Sequence, residues 1–281
     1  MKIIRHNNAK DFYTKVKKHL IKYEALNNLP IGIILSAFEK SFYDDQIFAY
    51  IENNSKIEII LIKTIDRLVL YSENPPTEQS CSILSDFLID EDFLISGVIG
   101  PSSVIKPFNK IWQRKKNCSI KLTMNQGIYK LQKLNHIEIS EGNLRLAEKN
   151  DINTISKWII DFSEEALEKI THKKAYELAE NSIDNKRLFL WEYKNNPVSM
   201  AKKTRPTENG YAINLVYTPK KFRNQGFASS CVSKLSEKIL NEGYKFTSLY
   251  TDMSNKTSNG IYKKIGYKYI GDSVVFDFIY K

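Results

Sequence analysis

The feature that most constrains the fold is an apolar run that leads through a glycine-containing turn into an amphipathic helix. The run spans residues 212–217, and the turn after it contains the pattern Arg223-x-x-Gly226-x-Ala228. Gly226 lets the backbone approach a bound group closely, and the small Ala228 leaves the first helical turn uncluttered. A helix N-terminus presents free N–H groups and the positive end of the helix dipole. The pattern favours a phosphate-binding turn, although the same turn could simply connect a strand to a helix.

Apolar residues recur every three or four positions after this turn. They are Ala228, Cys231, Val232, Leu235 and Ile239. This spacing predicts a helix with one apolar face, which Gly243 is placed to end. Residues 246–251 are rich in aromatic and β-branched side chains and predict the next strand.

A second motif follows that strand. It reads Asn255-x-x-Ser258-Asn259-x-x-Tyr262-x-x-x-Gly266-Tyr267, a polar stretch that offers helix caps, then a short helix that a glycine ends. In this order and at this separation, the two motifs resemble those of the GNAT superfamily of N-acetyltransferases. The resemblance covers about the last 140 residues well and the first half poorly. It extends to a group of two-part GNAT-like proteins, which brings no firm substrate with it.

The resemblance implies a fold class and a co-substrate. The implied fold is α/β of the α+β kind, with mixed, mostly antiparallel sheets flanked by helices in tandem GNAT-like domains. In this fold the strand before the phosphate turn pairs only partly with the next strand, and acetyl-CoA enters the gap. The residues expected to bind it are Val216, Tyr217, Thr218, Arg223, Asn224, Gln225, Gly226, Phe227, Ala228, Ser229, Asn255 and Asn259.

Individual roles within this set also follow from the resemblance. The backbone N–H groups of Val216 and Thr218 are the candidates to contact the pantetheine arm and the thioester carbonyl, where such a donor stabilises an oxyanion. Pro219 cannot donate a ladder hydrogen bond, which suits a strand that stops pairing there. Arg223 would either contact a phosphate or only cover the turn.

Tyr262 falls at the position where the family has a general acid. A phenol can give a proton to a leaving thiolate, and the alternative is an aromatic residue that only packs on a short helix. Asn255 and Asn259 would anchor the coenzyme arm or the start of that helix.

The general base is the least defined part of the expected site. Many relatives carry an acidic residue on the strand before the phosphate turn, but residues 212–216 contain none; Asn214 could order a water but cannot accept a proton. The other candidates are Asp161, Glu164, Glu165 and Asp252. Asp161 and Glu164 would share one helix face, so they could also form an ordinary solvated acidic surface. Glu164 is the catalytic candidate for a substrate contact.

The chain of 281 residues is long enough for two domains. We expect an N-terminal domain at 1–138 and a C-terminal catalytic domain at 139–281. The first half predicts helices and strands in nearly the same order as the second. The predicted helices are 11–27, 30–42, 76–88 and 102–115, and the predicted strands are 47–51, 57–64, 67–71, 94–99, 119–124 and 127–134.

The first half therefore reads as a degenerate copy of the second. After its 67–71 strand it has Ser72-Glu73-Asn74-Pro75-Pro76 in place of the glycine turn. An acidic residue and two prolines make a poor phosphate cradle, so we expect no coenzyme in this half.

Composition excludes several other classes of protein. No apolar run approaches the ~18 residues of a membrane span, and the N-terminus lacks the pattern of a signal peptide. The three cysteines and four histidines have no metal-ligand spacing, so we expect no metal and a cytoplasmic location. The net charge of +10 is spread along the chain and could help to steer an anionic coenzyme.

The sequence thus predicts an N-acetyltransferase that moves the acetyl group of acetyl-CoA to a primary amine by direct attack. The acceptor would be a small-molecule amine, an aminoacyl compound, or a protein N-terminus or lysine. The alternative is a GNAT-like module that binds an acyl-CoA or a partner without turnover. A nucleic-acid adaptor is a third reading, but no recognised nucleic-acid-binding motif supports it, and we expect neither nucleic-acid nor membrane partners.

Overall fold

A computed structural model describes residues 1–38, 46–65, 67–166 and 170–280. The chain divides into two compact units. The first unit contains Met1–Ile128, Thr251–Asn255 and Tyr269–Lys281, and the second unit contains Tyr129–Tyr250 and Lys256–Lys268.

The same order of elements, β-α-α-β-β-β-α-β-α-β, occurs twice along the chain. The first set is β1 Lys2–His6, α1 Ala9–Lys22, α2 Asn28–Ser36, β2 Ile47–Asn53, β3 Lys56–Lys63, β4 Leu68–Tyr71, α3 Glu78–Asp90, β5 Gly97–Gly100, α4 Ser102–Lys116 and β6 Ser119–Leu131. The second set is β7 Asn143–Leu146, α5 Ile152–Glu165, α6 His172–Asp184, β8 Leu188–Tyr193, β9 Asn196–Thr204, β10 Gly210–Tyr217, α7 Phe227–Asn241, β11 Phe246–Asp252, α8 Lys256–Ile265 and β12 Lys268–Ile279. This repetition confirms the predicted likeness in element order between the two halves.

In the first unit the strands lie in the order β1-β2-β3-β4-β5-β12-β6. The described pairs are antiparallel except for β4 and β5, which are parallel. The last strand of the chain enters this sheet next to β5, in register from Val274↔Gly100 to Asp277↔Gly97. Neither compact unit is one continuous stretch of the chain. The domain bounds 1–138 and 139–281 therefore stay a prediction.

The last residues of β6, from Tyr129 onward, belong to the second unit. There the strand order is β6-β11-β10-β9-β8-β7. Apolar clusters cover both faces of the sheet. One cluster joins the sheet to α7 and α8 and includes Ile213, Leu249, Phe227 and Tyr262. The other joins it to α5 and α6. The two clusters lie on opposite faces of β10, and β11 packs in the first of them through Leu249.

Three predictions for the first half are wrong in their extent: the helix at 11–27, the helix at 30–42, and the separate strands at 119–124 and 127–134. The helix expected at 11–27 ends at Lys22. Buried asparagine side chains bond the backbone around and after that end: the Asn27 amide donates to Leu20 O, and the Asn28 amide donates to Ala25 O. The strands expected at 119–124 and 127–134 are one strand, β6, and no turn separates them. Asn125 O accepts a bond from Met253 N within that span, so a neighbouring segment holds it extended.

Apart from the helix expected at 30–42, the other first-half elements are found close to their expected positions, with ends shifted by up to three residues. The helix expected at 30–42 begins at Asn28 and ends at Ser36. Its predicted residues 39–42 lie outside the described part of the chain. The fold class is confirmed as a mixed α/β structure with mostly antiparallel pairing.

Candidate active site

The centre of the candidate site is a fork between two parallel strands, β10 and β11. Their register runs from Gly210↔Phe246 to Ile213↔Leu249. Beyond this pair β10 continues to Tyr217 and β11 to Asp252. The ladder between the two strands therefore ends midway along both of them. This is the partial pairing that the family resemblance implied.

A β-bulge shapes the end of β10 at the fork. Its antiparallel register with β9 shifts between Asn214 and Tyr217, and Leu215 within that stretch has φ +48°. A left-handed residue in a bulge re-aims the backbone that follows it. The bulge thus changes the direction of the backbone around Val216, the residue expected to face the thioester.

Buried hydroxyl groups hold the far end of the bulge. Ser199 Oγ on β9 donates to Tyr217 O at 3.1 Å, and Thr218 Oγ1 donates to Ser199 Oγ at 2.8 Å. Both hydroxyl residues are buried. These bonds fix the chain at Thr218 just before it turns at Pro219.

Arg223 ties the turn to α5. Its Nη2 lies 2.7 and 2.8 Å from the two carboxylate oxygens of Glu165, and its Nε donates to Thr218 O at 2.9 Å. The guanidinium also lies 5.8 Å from the ring centroid of Tyr217. In this structure Arg223 orders the turn, and a phosphate contact by Arg223 stays a prediction.

Gly226 is needed for both its conformation and its lack of a side chain. Its φ is +76°, and an added Cβ would lie 2.5 Å from Ser140 Oγ. Ser140 Oγ donates to Gln225 O at 2.7 Å, and Ser140 N donates to Ser230 Oγ at 2.9 Å. The turn is therefore fastened to residue 140 from both sides. Sequence reasoning missed Ser140, because a serine some 85 positions away from the turn carries no local signal.

The N-terminus of α7 differs from its counterpart in the first half. Gly226 is the N-cap of α7 and provides no side-chain cap. At the start of α3, Thr77 Oγ1 accepts from Ser80 N at 3.1 Å. In the described part of the chain the N-cap residue of α7 thus caps none of the first N–H groups with a side chain, and residues 224–226 are exposed. An anion is the complementary partner for such an end.

The first half also lacks an open fork at the corresponding place. A Cβ added to Gly100 would lie 2.3 Å from Leu70 O. Gly100 and Leu70 follow the last β4–β5 pair, Val69↔Ile99. The backbones of β4 and β5 thus remain in close contact where those of β10 and β11 stop pairing.

Tyr262 lies in α8 and packs in the same cluster as Ile213 and Leu249 of the fork. Its side chain is 7% exposed, and its ring meets the Tyr267 ring edge-on at 6.0 Å between centroids. Within the described chain no residue hydrogen-bonds its hydroxyl. Burial, with a smaller contribution from Tyr267, raises the pKa of Tyr262 well above its usual range. The phenol therefore stays protonated, as a proton donor must.

The Tyr267 hydroxyl joins three elements around Tyr262. It bonds Ser236 Oγ of α7 at 2.8 Å and Thr247 Oγ1 of β11 at 2.7 Å. Burial raises its pKa to about 12. This network keeps α7, β11 and the end of α8 in a fixed arrangement.

The acidic candidates differ in how they are engaged. Asp161 forms an ion pair with Lys157 at 3.0 Å, and Glu165 is bound to Arg223. Glu164 is exposed and has no ion pair within the described part of the chain. Because Glu165 reaches Arg223, the C-terminal end of α5 lies against the turn. Glu164 stays a prediction as the substrate contact.

The remaining predicted residues belong to different parts of the structure. Asn224 has φ +61° in the turn, and Phe227, Ala228 and Ser229 form the first turn of α7. Asn259 lies in α8 in the second unit. Asp252 and Asn255 belong to the first unit, where Asp252 Oδ1 accepts from Ser254 N and Oγ, and Asn255 N donates to Asp252 O.

Three further observations concern the cysteines, metal binding and membrane-spanning helices. Cys81, Cys118 and Cys231 are buried free thiols. Among the described residues, no cluster of histidine, cysteine and acidic side chains is suited to a metal ion. None of the helices in the described ranges combines the length and apolarity needed to cross a bilayer.

Comparison with solved structures identifies the fold. The chain resembles an acetyltransferase of the GNAT family from Colwellia psychrerythraea over 100% of both chains, with 14% identity and a TM-score of 0.58. It resembles a GCN5-related N-acetyltransferase from Sphaerobacter thermophilus over 99% of this chain and 96% of that one, with 12% identity and a TM-score of 0.65. A Drosophila protein matches over 99% and 98% of the two chains, with 10% identity and a TM-score of 0.67.

The chain therefore has the GNAT fold along its whole length, which confirms the resemblance read from its motifs. Within that fold, residues 193–276 match the family described as FR47-like protein. That segment contains the fork, the glycine turn and α8. A comparison of the sequence with curated proteins found no match.

Proposed function

We propose that the second unit binds acetyl-CoA at the fork and transfers the acetyl group to a primary amine by direct attack. The observation that carries the proposal is the fork itself. The β10–β11 ladder ends at Ile213↔Leu249, and β10 then leads through the bulge to an α7 N-terminus without a side-chain cap. The end of β10 beyond its pairing with β11 thus offers backbone N–H groups to the pantetheine arm. The N-terminus of α7, which follows it along the chain, offers backbone N–H groups to the diphosphate.

The proposed chemistry uses three groups of this chain. The N–H groups of Val216 and Thr218 would bind the thioester carbonyl oxygen, and losing one such donor typically costs about 3 kcal/mol of transition-state stabilisation. The amine attacks the carbonyl carbon, the C–S bond breaks, and Tyr262 gives its proton to the departing sulfur. The proton released by the amine passes to water, which Asn214 or Glu164 would order.

Direct attack is favoured over a covalent enzyme intermediate by the protonation state of Cys231, the thiol in the apolar cluster of the fork. Cys231 of α7 is fully buried, and burial raises its pKa to about 12. Only a thiolate is an effective nucleophile. Cys231 therefore stays protonated and cannot carry the acetyl group.

The experiment is calorimetric titration of the full chain with coenzyme A, followed by thiol release from acetyl-CoA with a panel of amines. We expect binding, and release with at least one amine. Tyr262→Phe should keep the affinity for coenzyme A and lose most of the release rate. Binding without release for any amine would favour the alternative, a module that holds an acyl-CoA without turnover. A cytoplasmic location and an amine acceptor, small or on a protein, stay predictions from the sequence.

A further inference from the structure

Lys202 and Asn214 stand directly opposite each other on neighbouring strands at the fork. They are register partners in the antiparallel pair of β9 and β10. Opposed residues of such a pair project from the same face with Cβ atoms about 5 Å apart. Asn214 follows Ile213, the last residue of β10 that pairs with β11. Asn214 therefore lies at the point where the fork begins to open, and Lys202 lies beside it on β9, the strand on the other side of β10 from β11.

The face they share is the one that α5 and α6 cover. Leu188 is the register partner of Lys202 on β8, and Met200 lies two residues before it on β9. Both belong to the apolar cluster of α5 and α6, and residues two apart on a strand share a face. Lys202 thus extends from an apolar surface rather than from a polar one.

Lys202 has no counter-ion in the described part of the chain. Its neighbour Lys203, on the opposite face, pairs with Glu242 at 3.2 Å, and Arg223 pairs with Glu165. Burial of Lys202, and to a smaller degree the charge of Arg187, lower its pKa below the usual lysine range. A partly desolvated cation without a counter-ion is costly, and an incoming carboxylate would remove that cost.

Asn214 carries a hydrogen-bond acceptor that has no donor within the described chain. Its Oδ1 is buried and has no hydrogen-bond donor among the described residues. Buried amide oxygens without a partner are uncommon in folded proteins. The N–H group of an amine would satisfy this oxygen.

We propose that Lys202 and Asn214 bind the acceptor of the acetyl transfer, and that this acceptor is a free α-amino acid. Its carboxylate would bind Lys202 Nζ, and its amine would donate to Asn214 Oδ1. The amine and the carboxylate of an α-amino acid are attached to the same carbon, which suits two opposed side chains on adjacent strands. The amine is then held at the mouth of the fork. This inference rests on the proposed function, since it names the substrate class of that site.

A protein N-terminus or a lysine side chain within a protein does not fit this arrangement. Neither carries a free carboxylate on the carbon next to its amine. The inference therefore separates free amino acids from the other acceptors that the sequence left open.

The test is an equilibrium titration that does not require turnover. The full chain, with and without saturating coenzyme A, is titrated calorimetrically with each standard amino acid and with its carboxamide. We expect at least one amino acid to bind, and its amide to bind about ten- to a hundredfold more weakly, because a charge-assisted bond is lost. Lys202→Met should abolish that preference.

Lys203→Met is the matched control. It removes the adjacent lysine on the opposite face and should leave the preference for the carboxylate intact. Lys202→Arg keeps the charge and should retain a preference. Circular dichroism verifies that each variant is folded, and Lys202→Gln replaces Lys202→Met if the latter is not. The inference is overturned if no amino acid binds, if acid and amide bind equally, or if the preference survives loss of the Lys202 charge.

Failure of the proposed function gives a different result. Lys202-dependent binding of an amino acid without thiol release from acetyl-CoA would leave the recognition site standing and remove the acetyl transfer. Thiol release with amines that show no dependence on Lys202 would keep the transfer and remove the recognition site.

Discussion

Substitution of Gly226 by alanine tests the account of the glycine turn. Two independent costs arise in the structure. Gly226 has φ +76°, and a left-handed backbone costs an L-residue about 1–2 kcal/mol. The new Cβ would also lie 2.5 Å from Ser140 Oγ. The serine would have to move and lose its bond to Gln225 O, which is worth about 0.5–1.5 kcal/mol. We expect a total loss of about 1.5–3.5 kcal/mol.

Gly243 provides the matched control at the other end of α7. Its φ is +96°, and a Cβ added there would meet no atom within 4 Å. Gly243→Ala should therefore show only the conformational cost of about 1–2 kcal/mol. In a Ser140→Ala background the clash is absent, so Gly226→Ala should also cost only that amount. The two substitutions should be non-additive, as expected for residues in contact.

The assay is urea unfolding followed by tryptophan fluorescence, in which Trp158 and Trp191 report on the second unit. Coenzyme A affinity is measured in parallel by calorimetry. Gly226→Ala should weaken binding at least about tenfold, equivalent to about 1.4 kcal/mol, and Gly243→Ala should leave it unchanged. The reasoning is refuted if Gly226→Ala costs no more than Gly243→Ala, or if its cost is the same with and without the Ser140 hydroxyl.

Three further predictions concern the groups around the turn and the fork. Tyr262→Phe should lower thiol release about a hundredfold or more with unchanged coenzyme affinity; because burial raises the pKa of Tyr262, wild-type release should not decline through loss of this proton below pH ~10. An early alkaline decline that disappears in the phenylalanine variant would contradict this. Glu165→Gln removes a half-exposed partner of Arg223 and should cost no more than about 1 kcal/mol in urea unfolding; a much larger loss would mean that the pair is not screened by solvent. Tyr267→Phe leaves two buried hydroxyl groups without their shared partner and should cost about 1–3 kcal/mol; a neutral result in the same assay would argue against that network.

Sequence reasoning succeeded where the signal was local. The strand, turn and helix around Gly226, and the short helix that carries Tyr262, depend on residues within a few positions of one another. Their positions are confirmed at 210–217, 227–241 and 256–265. The GNAT fold followed from these motifs because their order and separation are typical of that superfamily.

Features that depend on distant residues were missed. Ser140 contacts the turn across 85 residues of chain, and Glu165 reaches Arg223 across 58. Pairing of β12 with β5 joins the end of the chain to its first half. None of these contacts leaves a periodic pattern or a turn signal, because each arises only when separate elements pack together.

The pairing of Lys202 with Asn214 at the candidate site could not be predicted from the sequence either. The sequence indicated that Asn214 stands on a strand without an acid. It did not indicate which lysine faces it, because that depends on the strand register and on the bulge in β10. A shift of one residue would bring Lys203 to the same face instead.

A crystal structure of the full chain with coenzyme A tests the central claim most directly. The account predicts that the diphosphate accepts hydrogen bonds from main-chain N–H groups between residues 223 and 229, and that the pantetheine arm lies between β10 and β11 beyond Ile213. A coenzyme molecule found elsewhere on the protein, with the α7 N-terminus facing only solvent, would contradict it.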